Sequence, residues 1–215
     1  MNTPAPRSRA RNGKQARREQ NKLEKLRRIK AATRELFIGR GYDNTTIREI
    51  VRRANIGLGT IFFYATDKRD LLFLVYNDEQ EILTRDAFER RPGNARFLPD
   101  LIAAFRVYYR FFAKESVFMR YVLRELTFYS SGREAERFQK GRESIVEGIE
   151  RIVRKARERK QITSDKSPRL VAEVIFGIYQ SELRRWLGQD RPDADEGLRR
   201  LRRALELLVD GIRPS

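Results

Sequence analysis

The chain contains no cysteine and no histidine. Without cysteine there is no disulfide framework and no thiol nucleophile. Without histidine the commonest general base is missing, and with both residues gone so are the usual zinc ligands. No run approaches the roughly 20 apolar residues needed to cross a bilayer. The basic N-terminal stretch leads into more charged residues, not an apolar segment, so no secretory signal is expected. Alternating strand patterns are absent. The carboxylates fall on charged helical faces without a paired arrangement. No enzyme, cofactor or metal is expected from this inventory, and a cytoplasmic location is.

Positive charge is in excess. Lys and Arg number 47 against 30 acids, for a net charge of +17 over 215 residues. Self-repulsion on that scale is tolerated best by a chain whose partner is a polyanion. Nucleic acid is the first candidate and an anionic membrane surface the second. The charge is concentrated at the start, where Arg7, Arg9, Arg11, Lys14, Arg17 and Arg18 face Glu19 alone. Pro4, Pro6, Ser8 and Gly13 interrupt this stretch, and low hydrophobicity with high charge predicts a disordered basic arm over residues 1–20. Such an arm either follows a DNA backbone or enters the minor groove, or it is a solvated tail.

The informative stretch is Thr45 to Leu72. Ile47, Ile50, Val51 and Ala54 recur at helical spacing. Thr46, with Glu49 three residues on, has the pattern of a capping box, Thr45 being the other candidate cap. Asn55-Ile56-Gly57 follows, and both Asn and Gly tolerate left-handed backbone angles. A second helix, Leu58–Tyr64, turns Ile61 back towards the first and leaves Thr60, Phe63 and Tyr64 on a face without an obvious core. This is the layout of a helix-turn-helix. Gly57-Leu58-Gly59 lacks both a preceding strand and a third glycine, so it is not read as a phosphate-cradling loop.

From about Ile29 to Leu72 the chain resembles the TetR family of bacterial transcriptional regulators. The pieces that match are Ala31-Ala32, Glu35-Leu36-Phe37, Gly41-Tyr42-Asp43, Thr45 to Ile50, Arg53-Ala54, Gly59-Thr60-Ile61, Tyr64, and Lys68 followed by Leu71. Asn55, Gly57, Phe62 and Ala65 depart from the usual Gly, Ser, Tyr and Phe. The resemblance implies that Thr46 meets a phosphate at a helix start and that Arg48 reaches a guanine edge or a phosphate. It implies that Leu58, Gly59 and Thr60 open the recognition helix, that Phe63 touches a thymine methyl, and that Tyr64 and Lys68 bind phosphates. Phe62, lacking the hydroxyl, is expected in the core with Leu36, Phe37 and Tyr42. Residues 21–72 are the expected DNA-binding domain.

Helical patterns continue through residues 73–215, the expected ligand-binding and dimerisation domain, so the fold class is all-α. An aromatic-rich block suggests either core or an apolar pocket. Its candidate ligand-binding residues are Phe105, Tyr108, Tyr109, Phe112, Tyr121 and Phe128, with Phe176 and Tyr179 from a later helix. Arg106, Arg110, Arg120 and Arg124 lie among them. The last two helices, about 169–187 and 194–211, resemble the family's dimerisation pair. One carries Leu170, Val174, Ile175 and Ile178, the other Leu201, Leu205, Leu208 and Val209. The reading is a homodimeric repressor that binds a palindromic operator in double-stranded DNA and is released by a small, largely apolar effector. Its alternative is a sequence-indifferent binder of nucleic acid or anionic surfaces driven by the basic arm.

Overall fold

The computed structural model describes residues 7–89 and 96–210, and within them the chain is helical, with no strand. Nine helices are described: α1 Arg7–Gly39, α2 Ile47–Ala54, α3 Leu58–Ile61, α4 Lys68–Phe88, α5 Phe97–Lys114, α6 Ser116–Glu125, α7 Ala135–Glu158, α8 Pro168–Leu187 and α9 Ala194–Asp210. They divide into two compact units, Met1–Val75 and Tyr76–Ser215, with the division inside α4. None of these helices is long and apolar enough to cross a membrane.

In the first unit α1 starts at Arg7, well before the expected Asn21. Residues 7–20, expected as a disordered arm, are helical, and residues 1–6 lie outside the described residues. Arg, Lys, Gln, Glu and Ala are all strong helix formers, and one interior glycine costs only about 1 kcal/mol. Ile29, Phe37, Tyr42, Ile50, Ala54 and Ile61 are buried, and the rings of Phe37 and Tyr42 meet edge-on at 5.0 Å. Leu23, read as part of the apolar side of α1, is instead exposed.

In the second unit α5 packs against α7, α8 and α9. Its aromatic side forms the core: Phe105, Tyr108, Tyr109 and Phe112 are buried. Tyr179 of α8 stacks on Phe105 at 4.4 Å, and Trp186 lies 4.7 Å from Tyr109. Ser167 caps α8 by accepting from Leu170 N at 3.1 Å, and Pro168 occupies the first turn, where a missing N–H costs nothing. The guanidinium of Arg137 joins α7 to the later part of α4 through Asp78 at 2.7 Å and Glu81 at 2.6 Å. Buried Glu182 pairs with Arg185 at 3.3 Å and with Arg200 of α9 at 3.4 Å.

Four of the eight residues expected at a dimer seam are covered within their own chain. Ile175, Leu201, Leu205 and Val209 are buried within their own chain, where α9 packs on α5 and α8. On the last two helices the exposed large apolar side chains are Leu170, Val174 and Leu207.

Candidate functional site

The helix-turn-helix is built from local chemistry. Thr46 is the N-cap of α2. Its backbone N–H donates to the Glu49 carboxylate at 2.8 Å, and Glu49 N donates back to the threonine hydroxyl at 3.3 Å. These reciprocal bonds satisfy donors that the first helical turn leaves free. They hold the Glu49 carboxyl below its usual range, with Arg40 and Arg52 adding attraction. Thr45, the other candidate cap, is buried and donates to Gly41 O at 2.8 Å. Asn55 ends α2 with φ 51° and ψ 58°, a left-handed conformation that Asn adopts more readily than most residues. Arg28 of α1 donates to the Asn55 carbonyl at 3.2 Å and ties that turn down. Gly57 precedes α3 with φ −73° and needs no glycine-specific freedom.

The α-helical part of α3 is shorter than expected, Leu58–Ile61 where Leu58–Tyr64 was predicted. The chain continues in a tight turn in which Tyr64 N and Ala65 N both donate to Ile61 O, at 2.9 and 3.0 Å. Asp70 then accepts from Thr66 N at 2.8 Å, and Asp67 accepts from Asp70 N at 2.7 Å, which starts α4. Ile61 is buried, while Leu58, Gly59 and Phe63 are exposed and Thr60 is half-buried. Phe63 is 78% exposed. Phe62, expected in the core, is 45% exposed: with four residues in α3, one large apolar side chain, Ile61, is enough to anchor it. Arg48 is exposed on α2.

Two of the expected phosphate contacts have partners within the unit. Lys68 donates its ammonium to Tyr42 O at 2.9 Å and to Asp43 O at 3.3 Å. Three donors on the ammonium leave one free for another acceptor. The Tyr64 hydroxyl donates to Lys22 O at 3.3 Å. To donate to a phosphate it must release that long bond.

The second unit contains a cavity of about 30 Å³, room for roughly one water. Of the candidate ligand-binding residues, Tyr108, Phe112, Phe176 and Tyr179 line it. Phe105 and Tyr109 are buried but do not line it, and Tyr121 is half-buried outside it. Phe128 is 90% exposed at φ 60°, so the candidate pocket loses it. Arg120 serves the fold, donating to the carbonyls of Leu187 at 2.9 Å and Gln189 at 2.6 Å at the end of α8. The polar side chains that do line the cavity are Gln80 of α4, Arg142 of α7 and Gln180 of α8. The sequence reading passed over all three. Gln80 and Arg142 each lie one helical turn from a buried aromatic, Tyr76 or Phe138, and that spacing was the available signal. Burial holds the hydroxyls of Tyr76, Tyr108 and Tyr179 above the usual tyrosine range, so they remain neutral at physiological pH. No three metal-ligating side chains converge among the described residues.

Residues 29–75 match the family model described as bacterial regulatory proteins, tetR family. That stretch is a TetR-family DNA-binding domain. A relative in Aromatoleum sp. (strain CIB), the HTH-type transcriptional regulator HbdR, is 41% identical over 64 residues. That match spans 27% of this chain and only 28% of the relative's length. Over most of its length the chain shares its fold with TetR-type structures. FadR of Thermus thermophilus, a transcriptional repressor solved in complex with lauroyl-CoA, superposes with a TM-score of 0.66 at 24% identity, over 88% of this chain and 97% of that one. FadR of Bacillus subtilis in complex with stearoyl-CoA gives a TM-score of 0.64 at 20% identity, over 86% and 98%.

Proposed function

We propose that this TetR-family chain is a cytoplasmic, homodimeric transcriptional repressor that reads a two-fold operator and is released by a small, largely apolar effector bound in its second unit. The observation that carries the DNA-binding part is the exposed end of α3. Leu58, Gly59 and Thr60 of this short helix, and Phe63 in the turn that follows it, lie around the anchor Ile61, and an aromatic side chain left 78% exposed contributes little to its own core. In the major groove Phe63 contacts a thymine methyl and Thr60 a base edge. Thr46, Arg48, Tyr64 and Lys68 meet phosphates on either side, with Arg48 also long enough for a guanine.

Leu170 and Val174 on α8 and Leu207 on α9 supply the apolar part of a two-fold seam. Two chains are needed to place two short helices in successive major grooves. The effector occupies an enlarged form of the cavity beside Tyr108, Phe112, Phe176 and Tyr179 and lowers DNA affinity by binding the DNA-free state more tightly. The acyl-CoA ligands of two structural relatives support an effector with an apolar body.

Footprinting on a duplex recovered from a random pool tests this reading. The expected result is protection of two half-sites one helical turn apart, with two chains bound per duplex. Uniform protection that disappears as salt rises would instead favour sequence-indifferent binding.

A further inference from the structure

Arg142 differs from three other arginines of α7 and α8. Arg137, Arg154 and Arg169 pair with carboxylates: Arg137 with Asp78, Glu81 and Glu134, Arg154 with Glu150, and Arg169 with Glu143 and Glu173. Arg142 is half-buried at the cavity and has no carboxylate partner among the described residues. Its guanidinium lies instead against two rings, 5.5 Å from the centre of Phe176 and 5.9 Å from that of Phe138. Burial lowers the pKa of this group, and repulsion from Arg184 lowers it further, so the surroundings oppose its charge.

A second group in the same cavity also lacks a partner. Gln80 is 2% exposed, and its Oε1 accepts no hydrogen bond. The amide is held against α7 at Gly141, where a Cβ would stand 2.8 Å from the Gln80 amide carbon. A buried polar atom without a partner costs free energy unless something binds it. The cavity thus combines an uncompensated cation, an unsatisfied amide and a wall of aromatic rings.

We propose that Arg142 is the anchor for the anionic group of an amphiphilic effector, an organic carboxylate whose apolar body enters between Phe138, Phe176 and Tyr179. The proposal rests on the effector reading given above and adds the chemical class of the ligand and the residue that selects it. The present cavity is too small for such a ligand. The arginine side chain lies over the rings that wall it, and its movement off Phe138 and Phe176 admits the ligand and presents the guanidinium fork to the carboxylate. A hydroxyl on the ligand's body would donate to Gln80 Oε1. The aromatic contacts that Arg142 gives up are replaced by a charge-assisted pair in a water-poor site, which is the stronger interaction.

Calorimetric titration of the full chain with 4-phenylbutyrate and with its neutral isostere 4-phenylbutanamide tests this. The expected result is binding of the acid at least about tenfold tighter than the amide, the scale of one charged hydrogen-bonding pair. Arg142→Gln should abolish that preference, and Arg142→Lys, which keeps the charge but not the fork, should retain part of it. Arg110→Gln, an exposed arginine on α5, should leave the preference unchanged. Equal binding of acid and amide overturns the anchor while leaving an effector site in place. Binding of neither probe overturns both.

Discussion

The ammonium of Lys68 stands 4.5 Å from the centre of the Tyr42 ring and donates to that residue's own carbonyl at 2.9 Å. One side chain at the start of α4 thereby holds the loop that leads into α2. Lys68→Met should lower stability by about 1 kcal/mol, because two carbonyls lose a charged donor. It should also reduce the slope of DNA affinity against salt by about one phosphate. Thermal melts and binding at three salt concentrations check both. An unchanged slope would confine Lys68 to the loop.

Thr46→Ala should cost about 1 kcal/mol through loss of the cap on α2. The pH dependence has a definite sign. The Glu49 carboxyl is lowered in the folded chain, chiefly by the hydrogen bonds from Thr46. Its stabilisation is therefore present at neutral pH and is lost as pH falls through its lowered folded value, below the ordinary carboxylate range. Denaturant midpoints measured from pH 7 downward should decline less steeply for Glu49→Gln than for the parent chain.

These local devices were legible in the sequence because each depends on a few neighbouring residues: the Thr46–Glu49 spacing, the turn chemistry of Asn55, Pro168 at a helix start. What covers a helix face is not a local property. The stripe Leu201, Leu205 and Val209 was read correctly as apolar, but periodicity does not distinguish a partner subunit from α5 and α8 of the same chain. The start of α1 was missed because charge density and scattered Pro and Gly outweighed the strong helix propensity of Arg, Lys and Gln. In the second unit, aromatic spacing alone includes Phe128, which sits at φ 60° facing solvent. Aromatic spacing does not reveal Arg142, whose distinction is a place at the cavity against two rings without a carboxylate partner, a property of three dimensions.

Phe63→Ala should change stability by no more than about 0.5 kcal/mol, since the ring is 78% exposed. The same substitution should cost about 1–3 kcal/mol in binding at one base step and relax the preference there. Melting curves and competition with duplexes changed at single positions separate the two effects. A large loss of stability would assign Phe63 to packing.

Leu207→Glu and Val174→Glu place a carboxylate on the exposed apolar face of α9 and α8. Each should convert a two-chain species into single chains of 25.4 kDa by sedimentation, with operator binding weakened in parallel. Retention of the larger species by both variants would place the seam elsewhere.

Selection of binding sites from random duplex DNA, with the purified chain at near-physiological salt, tests the central claim most directly. The account predicts recovery of a palindrome whose half-sites are spaced for successive major grooves. Recovery of no motif, with binding that falls steeply as salt increases, would contradict it and make the chain a sequence-indifferent binder driven by its positive charge.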